Sequence, residues 1–549
     1  MAKTATQPTR PASQAAPCDY EVIVIGAGVS GIYQLKRLVD LGVQTTVLDA
    51  NGDVGGTWYN NRYPGARFDS ESYTYGYSFS KELLEEWHWR ERFSPQPETL
   101  RYLNHVVDKF ELRKHMQFGV RVEAMHFDEA RNIWRLHLQD GRVLTAHVVV
   151  TGLGPLSQPT LPKIPGMADF KGLSFHTANW PHEPLDLSGK RVAIIGTGAT
   201  AIQIIPEVAK QAARLTVFQR RANWAAPLNN GPITAAEMAS IRARYDEIFA
   251  ACARSPAAFE HIPDSRRFND LTPEQRRAFW DKLYDEPGFG IWLANFVETF
   301  TDETANAELS AYIAERIRRR VKDPVLAEKL IPKDHGFGIQ RLPLETNYFE
   351  TYNRDNVELV DSKATPIERI TATGLRTTER EFEFDVIVYA TGFDAFTGAY
   401  DRIDIRGVGG KKLRDKWANG PVTYLGMLVS GFPNMVMLGG PQTAAANFPR
   451  GSEVAIDWIM PLLEHLWASG HTRFDAKPEA EQAWFDAVKA SYQGVLMSKA
   501  QSWITGYNSN LEGHEYGHTR YNIFATGGAE YAKHLKAAAE GGYSGIAFS

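Results

Sequence analysis

Three glycines spaced as GxGxxG follow a short apolar run near the start of the chain. The run EVIVIG ends at Gly26, and Gly28 and Gly31 complete the pattern before an amphipathic stretch begins. Glycines at this spacing allow a tight turn, close approach of the backbone to a pyrophosphate, and close packing of a helix on a strand. Asp49 ends the next apolar run, where its carboxylate can accept hydrogen bonds from the hydroxyls of a ribose. The pattern predicts binding of a dinucleotide.

A second glycine-rich turn, after the run RVAIIG, is followed by a different chemistry. The expected turn and helix start comprise Gly196, Thr197, Gly198, Ala199, Thr200 and Ala201. The next apolar run ends at Gln219, Arg220 and Arg221, with no acid to hold a ribose 2′-hydroxyl. Arginine forms bidentate, charge-assisted hydrogen bonds to phosphate, each worth about 1.5–3 kcal/mol, so a 2′-phosphate is favoured. We predict NADPH here; the alternative is that these arginines are surface residues without a ligand.

An acid at one nucleotide site and arginines at the other indicate FAD in the first and NADPH in the second. The pair Gly55 and Gly56 lies shortly after the first site, where small residues let the phosphates and the ring of a flavin approach the backbone. The predicted flavin-binding residues in this region are Gly56, Thr57, Trp58, Asp69 and Tyr75.

The two strand–turn–helix–strand units predict an α/β fold with two Rossmann-like dinucleotide-binding domains and a helical insertion in the second. The insertion is expected at residues 225–335, where apolar residues recur at helical spacing. The run FDVIVYATG is expected to return the chain to the first domain. The predicted divisions are a flexible tail (1–18), an FAD-binding domain in two parts (19–155 and 385–549) and an NADP-binding domain in two parts (156–224 and 336–384).

The composition of the chain argues against several classes of protein. The chain of 549 residues has a net charge of −5, which argues against a nucleic-acid or anionic-membrane partner. Two cysteines, Cys18 and Cys252, can form neither a disulfide framework nor a zinc site, and no metal is expected. No apolar run reaches the roughly 18 residues of a membrane helix, and the first residues lack the apolar core of a secretory signal. We predict a cytoplasmic protein that is a monomer or a weak homo-oligomer.

Two longer motifs resemble a known family. The segment FKGLSFHTANWP at residues 170–181 matches FxGxxxHxxxWP, the fingerprint of type I Baeyer–Villiger monooxygenases. The segment GGTWYNNRYPGARFD at residues 55–69 is similar to a second block of that family. All fixed positions of the fingerprint are filled, and the resemblance extends from about residue 19 to the C-terminus. The fingerprint residues are Phe170, Gly172, His176, Trp180 and Pro181.

The resemblance implies a reaction and a catalytic pair. In this family NADPH reduces FAD, O2 adds to give a C4a-peroxyflavin, and the peroxide attacks a ketone carbonyl to yield an ester or lactone. Because the peroxide and its adduct are anionic, the site needs a permanent cation, which arginine provides. The stretch FGIQRLPLETNYFETYNRDNV resembles the segment with the active-site arginine and places it at Arg341, with Asp69 as its carboxylate partner. A small-molecule ketone and O2 are the expected reactants.

Three further roles follow from the resemblance. His176 is expected to act as a hinge between the flavin and NADPH domains rather than in proton transfer, with Trp180 and Pro181 stiffening the linker. Trp503 resembles a tryptophan on a mobile loop that covers bound NADP+; a core tryptophan is the alternative. Residues 442–448 resemble the loop that lines the ketone pocket.

The chain departs from the family pattern beside the expected NADPH site. Relatives commonly have lysine just before the active-site arginine, where this chain has Gln340. They more often have threonine where this chain has Arg221. We hypothesise that Arg221 replaces the missing positive charge. The segment NSNLEGHEYG also lacks a lysine that many relatives carry.

Two other functions are alternatives. A related flavin monooxygenase that oxygenates nitrogen or sulfur would share much of the fingerprint, but it would generally lack the WP ending and the arginine at position 341. A flavoprotein without catalytic activity, which senses redox state or binds a partner, belongs to a different class.

Two predictions concern local structure. The basic run at residues 316–322 is predicted to be a solvated helix face, and Pro461 is predicted to kink or break its helix.

Overall fold

The computed structural model describes residues 16–444, 446–515 and 517–549. The predicted tail, residues 1–18, lies outside the described residues except for its last three. Those three are docked against the strand that contains His147. The His147 side chain contacts the Ala16 carbonyl oxygen at 2.8 Å and the Cys18 sulfur at 3.4 Å.

The first sheet contains eight strands among the described residues and is built around Tyr20–Ile25. That strand pairs in parallel with Thr45–Asp49 on one side and Val143–Thr151 on the other. Its residues from Val22 to Ile25 are buried, as expected for a central parallel strand covered on both faces. The sheet has the order Asp404–Arg406, Val122–Asp128, Ile133–Leu138, Val143–Thr151, Tyr20–Ile25, Thr45–Asp49 and Met116–Phe118, and Met435–Met437 also pairs with Val143–Thr151.

The second sheet is entirely parallel, and it corrects one sequence prediction. Its order is Val357–Asp361, Arg214–Gln219, Arg191–Ile195, Val386–Tyr389 and Leu173–His176. The strand Val386–Tyr389 was expected to return the chain to the first domain, but it lies between two strands of this second sheet. The chain crosses back only after it. A β-branched, apolar run fits either parallel sheet, so composition could not decide between them.

Two segments run side by side where the chain crosses between the sheets. Gln158–Pro159 pairs antiparallel with Phe393–Asp394. The smaller sheets are Ala226–Pro227 with Leu344–Glu345, Ile367–Ile370 with Gly374–Thr377 and Glu381–Glu383, and Phe474–Ala476 with Ile546–Phe548. The first sheet is mixed, because Ile133–Leu138 pairs antiparallel with both of its neighbours, and the second is wholly parallel. Together with their helices, these sheets confirm the predicted α/β class.

Between Ala226–Pro227 and Leu344–Glu345, a fully described stretch, there are seven α-helices and no strand. Capping explains several of their starts: Thr234 and Thr272 each form a capping box, and the side chain of Asp302 accepts a hydrogen bond from the Ala305 N–H. The helices are Ala235–Ala243, Tyr245–Arg254, Pro273–Asp285, Gly290–Leu293, Glu298–Thr301, Glu303–Arg320 and Pro324–Leu330.

The basic run at residues 316–322 is only partly solvated, so that prediction is wrong for two of its arginines. Arg320 bonds Glu345 at 2.7 Å and Glu350 at 2.5 Å, and Arg316 lies over the ring of Tyr284. Both arginines lie on the face of Glu303–Arg320 that turns toward its neighbours, where the guanidinium groups meet buried acids and rings.

Of the remaining helices, Val29–Asp40 packs on the first sheet, Ala199–Gln211 packs on the second, and Phe448–Ala468 packs against Val29–Asp40. Pro461 lies inside Phe448–Ala468 and does not end that helix, so the predicted break is wrong, while a kink stays a prediction. Among the described helices, none combines the length and the apolarity that crossing a membrane requires. The remaining α-helices are Val29–Asp40, Thr57–Asn60, Ser72–Tyr75, Lys81–Glu86, Gln96–Lys109, Ala199–Gln211, Tyr348–Thr351, Gly398–Asp401, Leu413–Lys416, Phe448–Ala468, Pro478–Ser491 and Gly528–Glu540.

Candidate active site

The first glycine turn has the backbone geometry that its sequence predicts. Gly26 has φ of +107°, and a Cβ there would lie 2.4 Å from the carbonyl oxygen of Gly152. A Cβ on Gly31 would lie 1.8 Å from the carbonyl oxygen of Gly26, so the helix can approach the strand only without a side chain. The helix Val29–Asp40 then begins at Gly28 with no side-chain cap and no acid in its first turn. Its first amide groups are therefore suited to an anion such as a pyrophosphate.

Asp49 lies at the end of the neighbouring strand and is buried. Its two carboxylate oxygens accept hydrogen bonds from the N–H groups of Ala27 (2.6 Å) and Asn51 (2.7 Å). Burial raises the pKa of Asp49, while the two backbone hydrogen bonds oppose that shift. Each carboxylate oxygen keeps a second lone pair, which can accept a ribose hydroxyl. The residues present therefore fit the adenosine half of FAD.

The predicted flavin-binding residues that follow converge on the same turn. Gly56 faces Gly28 closely: a Cβ on Gly56 would lie 2.9 Å from the Cα of Gly28. Thr57 is exposed at the start of its short helix. Trp58 is buried, and its indole N–H donates a hydrogen bond to the hydroxyl of Tyr75 at 2.8 Å. The structure brings all four together beside the first glycine turn, and their contacts with FAD stay predictions.

The second glycine turn has one strained glycine and one that faces open space. Gly196 has φ of +114°, and a Cβ there would lie 2.3 Å from the carbonyl oxygen of Ala390. At Gly198, by contrast, no described atom lies within 4 Å of a Cβ position. The helix Ala199–Gln211 begins at Gly198 with no side-chain cap and no acid in its first turn. Ala199 and Gly198 are exposed, so this helix start fits a second dinucleotide.

Gly198→Ala is expected to weaken NADPH binding without unfolding the protein. The new methyl group would project into the open space before the helix start, where the backbone must approach a pyrophosphate closely. A loss of one charge-assisted hydrogen bond would raise the KM for NADPH about tenfold or more. Steady-state kinetics together with FAD content and thermal unfolding would check this.

Gly196→Ala is the contrasting variant, because its Cβ would collide with backbone and should lower stability itself. An unchanged KM for NADPH in Gly198→Ala would contradict the assignment of this turn.

Arg220 and Arg221, which follow the strand Arg214–Gln219, differ in whether a carboxylate neutralises their charge. Arg220 is exposed and donates to the hydroxyl of Ser509 at 2.6 Å, a neutral partner. Arg221 forms an ion pair with Asp334 at 2.7 Å. The hypothesis that Arg221 replaces the missing lysine thus meets a competing carboxylate, whereas Arg220 has no carboxylate partner among the described residues.

Two glutamines accompany these arginines. Gln219 is buried and donates to the carbonyl oxygen of Lys329 at 2.7 Å, while its side-chain oxygen has no partner among the described residues. Gln340 lies 3.4 Å from the carbonyl oxygen of Gln501. Arg221 also donates to that carbonyl oxygen, at 3.4 Å. These contacts join the second nucleotide site to the segment that carries Trp503; the roles of the residues stay predictions.

Arg341 and Asp69, 272 positions apart in the chain, are in direct contact. The guanidinium Nη1 donates to Asp69 Oδ2 at 2.6 Å. Asp69 is 2% exposed in its side chain, whereas Arg341 is 37% exposed. The buried carboxylate therefore anchors a cation whose other donors remain available.

Three residues that were not among the predicted site residues surround this pair. Gln203, on the helix that starts the second nucleotide site, donates to the carbonyl oxygen of Arg67 at 2.9 Å and lies 3.5 Å from Asp69 Oδ1. Tyr63 donates to the Gln203 side-chain oxygen at 2.8 Å. The ring of Phe289, from the insertion, lies 5.7 Å from the Arg341 guanidinium carbon. Tyr63 lies within a motif that was recognised, but nothing in the sequence indicates Gln203 or Phe289.

His176 is buried at the end of the last strand of the second sheet. Its Nδ1 accepts a hydrogen bond from the Ala178 N–H at 3.1 Å, while Nε2 has no partner among the described residues. Its ring packs edge-on against Phe393, which lies in the segment that crosses between the sheets. Burial lowers the pKa of His176 to about 4, so the ring is neutral at neutral pH. These contacts support the hinge position over proton transfer, and the role stays a prediction.

The protein is expected to lose stability in acid through His176. Because the folded-state pKa of about 4 lies below the ordinary value of 6.5, the unfolded chain binds a proton more tightly. This contribution is complete above pH 6.5 and is lost as the pH falls toward 4, and it is worth on the order of 3 kcal/mol.

The check is the denaturation midpoint of wild type and His176→Asn between neutral and mildly acidic pH. Asparagine can still accept from the Ala178 N–H but cannot be protonated there. Equal acid sensitivity of the two proteins would contradict the assignment.

The other fingerprint residues pack around the same strand. Phe170 lies against Gly172, where a Cβ would come within 2.5 Å of the Phe170 ring. Trp180 is buried and meets Phe175 edge-on, with ring centroids 4.9 Å apart. Pro181 follows it and is partly exposed. The fingerprint thus fixes the path of the chain beside the interdomain crossing.

Trp503 lies over the crossing segment from the other side. Its ring centroid is 5.9 Å from that of Phe396. It is only partly buried, which favours a contact residue over a core tryptophan. Within residues 442–448, Ala445 lies outside the described residues. The loop is held at its ends by buried side chains, since Gln442 accepts from the Thr423 hydroxyl and Asn447 donates to that of Thr74.

Comparison with known proteins agrees with this geometry. Residues 19–231 match the flavin-binding monooxygenase-like family model. The chain is 39% identical over 531 residues, 96% of each chain, to the Baeyer–Villiger monooxygenase of Pseudooceanicola batsensis. It is 38% identical over 533 residues, also 96% of each chain, to the phenazine N-monooxygenase PhzNO1 of Lysobacter antibioticus.

A solved structure shares the whole architecture. The complex of OTEMO with FAD and NADP superimposes with a TM-score of 0.93 at 42% identity, covering 97% of this chain and 100% of that one. Two nucleotide-binding turns, a direct contact between Arg341 and Asp69, and full-length similarity agree on one classification: the chain belongs to the flavin-dependent Baeyer–Villiger monooxygenases.

Proposed function

We propose that this protein inserts one oxygen atom of O2 beside the carbonyl group of a small-molecule ketone, giving an ester or a lactone. The observation that carries the proposal is the ion pair of Arg341 and Asp69, in which a buried carboxylate anchors a permanent, partly exposed cation. NADPH is consumed and water is the second product, so the balance is ketone, O2, NADPH and a proton to ester, NADP+ and water.

The cofactors are FAD and NADPH. FAD would be held by the turn at Gly26, Gly28 and Gly31 and by Asp49, and NADPH by the turn at Gly196 and Gly198. When bound, NADPH would supply two reducing electrons and the flavin would activate O2, which is the source of the inserted oxygen atom. The two uncapped helix starts described above suit their pyrophosphates.

The task of Arg341 is electrostatic. Oxygen transfer to a ketone places negative charge on oxygen, and a fixed cation in a site that excludes water stabilises such charge far more than bulk water does. Arg341 keeps guanidinium N–H groups free of Asp69 and can donate them to that oxygen. Asp69 fixes the direction of the guanidinium, and its burial prevents water from competing for it.

Oxygenation of nitrogen is the second candidate. It is favoured by the similarity to the phenazine N-monooxygenase over 96% of each chain. A soft nitrogen atom needs an electrophilic oxygen donor, which is protonated, whereas a ketone needs a nucleophilic, anionic one. An arginine that is anchored by a buried carboxylate stabilises the anionic oxygen donor. Oxygenation of a ketone is therefore the first candidate.

We also propose a cytoplasmic location and a monomeric or weakly self-associating enzyme. Both cysteines are unpaired, Cys18 being partly buried and Cys252 buried, which suits a reducing compartment. The residues that make both nucleotide turns and the arginine–aspartate pair all come from this one chain.

The test is a product screen with the purified, FAD-loaded protein. Linear, monocyclic, fused-ring and aromatic ketones of graded size, and one aromatic N-heterocycle, would be incubated with NADPH and isotopically labelled O2. Gas chromatography with mass spectrometry should find an ester or lactone carrying one labelled oxygen atom, in proportion to the NADPH consumed.

Two outcomes would contradict the proposal. One is an N-oxide as the labelled product while every ketone is returned unchanged. The other is NADPH oxidation that yields hydrogen peroxide with every substrate. The variant Arg277→Ala removes a partly exposed arginine paired with Glu315 on the insertion and serves as the matched control.

A further inference from the structure

A buried cluster of ionisable side chains lies next to the arginine–aspartate pair and has no part in the reaction described above. This Glu71 cluster comprises Glu71, Tyr73, Cys252, Glu260 and His261. Glu71 and Tyr73 belong to the segment around Ser72–Tyr75 in the flavin domain. The other three belong to the insertion, at the end of Tyr245–Arg254 and in the loop after it. The cluster therefore joins the insertion to the flavin domain.

The central contact of the cluster is an ion pair between His261 and Glu71. His261 Nε2 lies 2.9 Å from Glu71 Oε1, and the side chains are 17% and 9% exposed. The second oxygen of Glu71, Oε2, is buried and has no hydrogen-bond partner among the described residues. His261 thus supplies the direct cationic partner that the structure shows for this carboxylate. Breaking such a pair leaves an uncompensated buried charge.

Two short stretches of chain connect this ion pair to Arg341. Glu71 lies two residues after Asp69, which bonds Arg341 directly. Gly288 packs against the pair from the insertion: a Cβ there would lie 2.6 Å from Glu71 Oε1 and 3.4 Å from His261 Nε2. The next residue, Phe289, carries the ring that lies over the Arg341 guanidinium. Asp69 and Phe289, the two neighbours of the guanidinium, are therefore joined through the backbone to Glu71 and Gly288, which lie at the ion pair.

Several ionisable groups face His261 and determine its charge. Three carboxylates act on it: Glu71, Glu260 from its own loop, and Glu286 at the end of Pro273–Asp285. Tyr73 and Cys252 complete the surroundings, and Arg244 acts on Glu260. Burial lowers the pKa of His261, but the hydrogen bond to Glu71 and the three carboxylates outweigh burial and raise the pKa above the ordinary value.

We propose that His261 is a positioning residue that, as the protonated partner of Glu71, fixes Asp69 and Phe289 on either side of Arg341. The inference rests on the proposed function, because its consequence is measured in oxygen transfer. With the pair intact, the backbone on both sides of the guanidinium is held. Without the ion pair, the buried carboxylate of Glu71 needs water or another cation as its partner. The backbone that positions Asp69 and Phe289 is then held less firmly.

The pH dependence follows from the sign of the shift. A raised pKa means that the ion pair is complete at low pH and is lost as the pH rises through the folded-state value. Oxygen transfer should therefore lose efficiency as the pH rises through that value. The inefficiency should appear as less ester formed for each NADPH consumed, because reduction does not require the arginine–aspartate pair to be held precisely.

The experiment compares wild type with His261→Gln, both loaded with FAD, across a range of pH. The measured quantity is ester formed per NADPH oxidised. At neutral pH the ratio in His261→Gln is expected to be about two- to thirtyfold lower than in wild type. The ratio in His261→Gln should change little with pH. The wild-type ratio should fall toward the value of the variant as the pH rises. His261→Lys, which stays cationic, should keep a high ratio at alkaline pH.

A second readout needs no turnover. The thermal midpoint of FAD-free wild type should exceed that of His261→Gln at neutral pH, and the gap should close as the pH rises. His105→Gln is the matched control, because His105 forms an exposed pair with Glu86 at 2.7 Å outside this cluster. If His261→Gln fails to fold, Glu71→Gln removes the other partner and should give the same loss.

The outcomes separate this inference from the proposed function. If wild type forms ester and the ratio in His261→Gln equals it at every pH, the positioning role is refuted. If wild type itself forms no ester from any ketone, the proposed function fails instead. A thermal gap that does not change with pH would also overturn the inference, because the ion pair would then not depend on protonation.

Discussion

Arg341→Ala is expected to lower the rate of ester formation by about 10²–10³-fold while FAD remains bound. The flavin turn is built from Gly26, Gly28 and Gly31, none of which contacts Arg341 in the structure, so the flavin site should persist. NADPH oxidation should continue with hydrogen peroxide as the product, because the cation that stabilises anionic oxygen near the ketone is missing. The loss is therefore specific to oxygen transfer.

Three measurements check this result in one preparation. FAD content is read from the absorbance spectrum, NADPH consumption from its own absorbance, and ester and peroxide by product analysis. Arg277→Ala should make ester as wild type does, because it removes a partly exposed arginine whose partner, Glu315, lies on the insertion. Arg341→Ala that still makes ester at the wild-type rate would refute the role of this residue.

Arg341→Lys and Asp69→Asn refine the same prediction. Lysine keeps the charge but lacks the planar fork that can bind Asp69 and a second acceptor together, so only part of the activity should return. Asp69→Asn keeps the shape and removes the charge that directs the guanidinium. Because Asp69 also accepts the Leu344 N–H at 3.3 Å, this variant should lose some stability as well.

The nucleotide turns could be predicted from the sequence because their physics is local. A glycine that must adopt φ of +107°, as at Gly26, or must pack a Cα against a backbone carbonyl, as at Gly31, is required by its immediate neighbours. The α/β class and the cofactors were predicted correctly from these turns and the residues that follow them, and the family was predicted correctly from its resemblance to two longer motifs. The comparisons agree with each of them.

Features that depend on distant parts of the chain could not be predicted in the same way. The strand Val386–Tyr389 reads as a buried parallel strand, but only its partners show which sheet it joins. Arg221 resembles a free phosphate ligand in sequence, yet Asp334 neutralises it from 113 positions away. Gln203 and Phe289 reach the arginine–aspartate pair from two other segments. The spacing of residues in the sequence does not predict contacts between segments that lie so far apart in the chain.

Gly28→Ala is expected to release FAD from a protein that is otherwise folded. Gly28 has φ of −84° and ψ of −169°, which alanine also adopts. A Cβ there would lie 3.5 Å from the Cα of Gly56, an ordinary contact. The added methyl group nonetheless occupies the place where the backbone must approach a pyrophosphate. Losing one charge-assisted hydrogen bond would weaken FAD binding about ten- to hundredfold, and turnover would fall in proportion to the FAD that is lost.

The neighbouring glycines make this prediction specific. Gly26→Ala should lower the stability of the FAD-free protein, because alanine is strained at φ of +107° and its Cβ would collide with the Gly152 carbonyl. Gly231→Ala, with no described atom within 4 Å of its Cβ position, should change neither property.

Equilibrium titration of FAD into each FAD-free variant, with the thermal midpoint measured alongside, separates the two effects. If Gly28→Ala bound FAD as tightly as Gly231→Ala does, the cofactor would not approach the backbone at this turn. If Gly28→Ala instead unfolded like Gly26→Ala, the glycine would be required for folding, and the space at Gly28 would carry no information about a ligand.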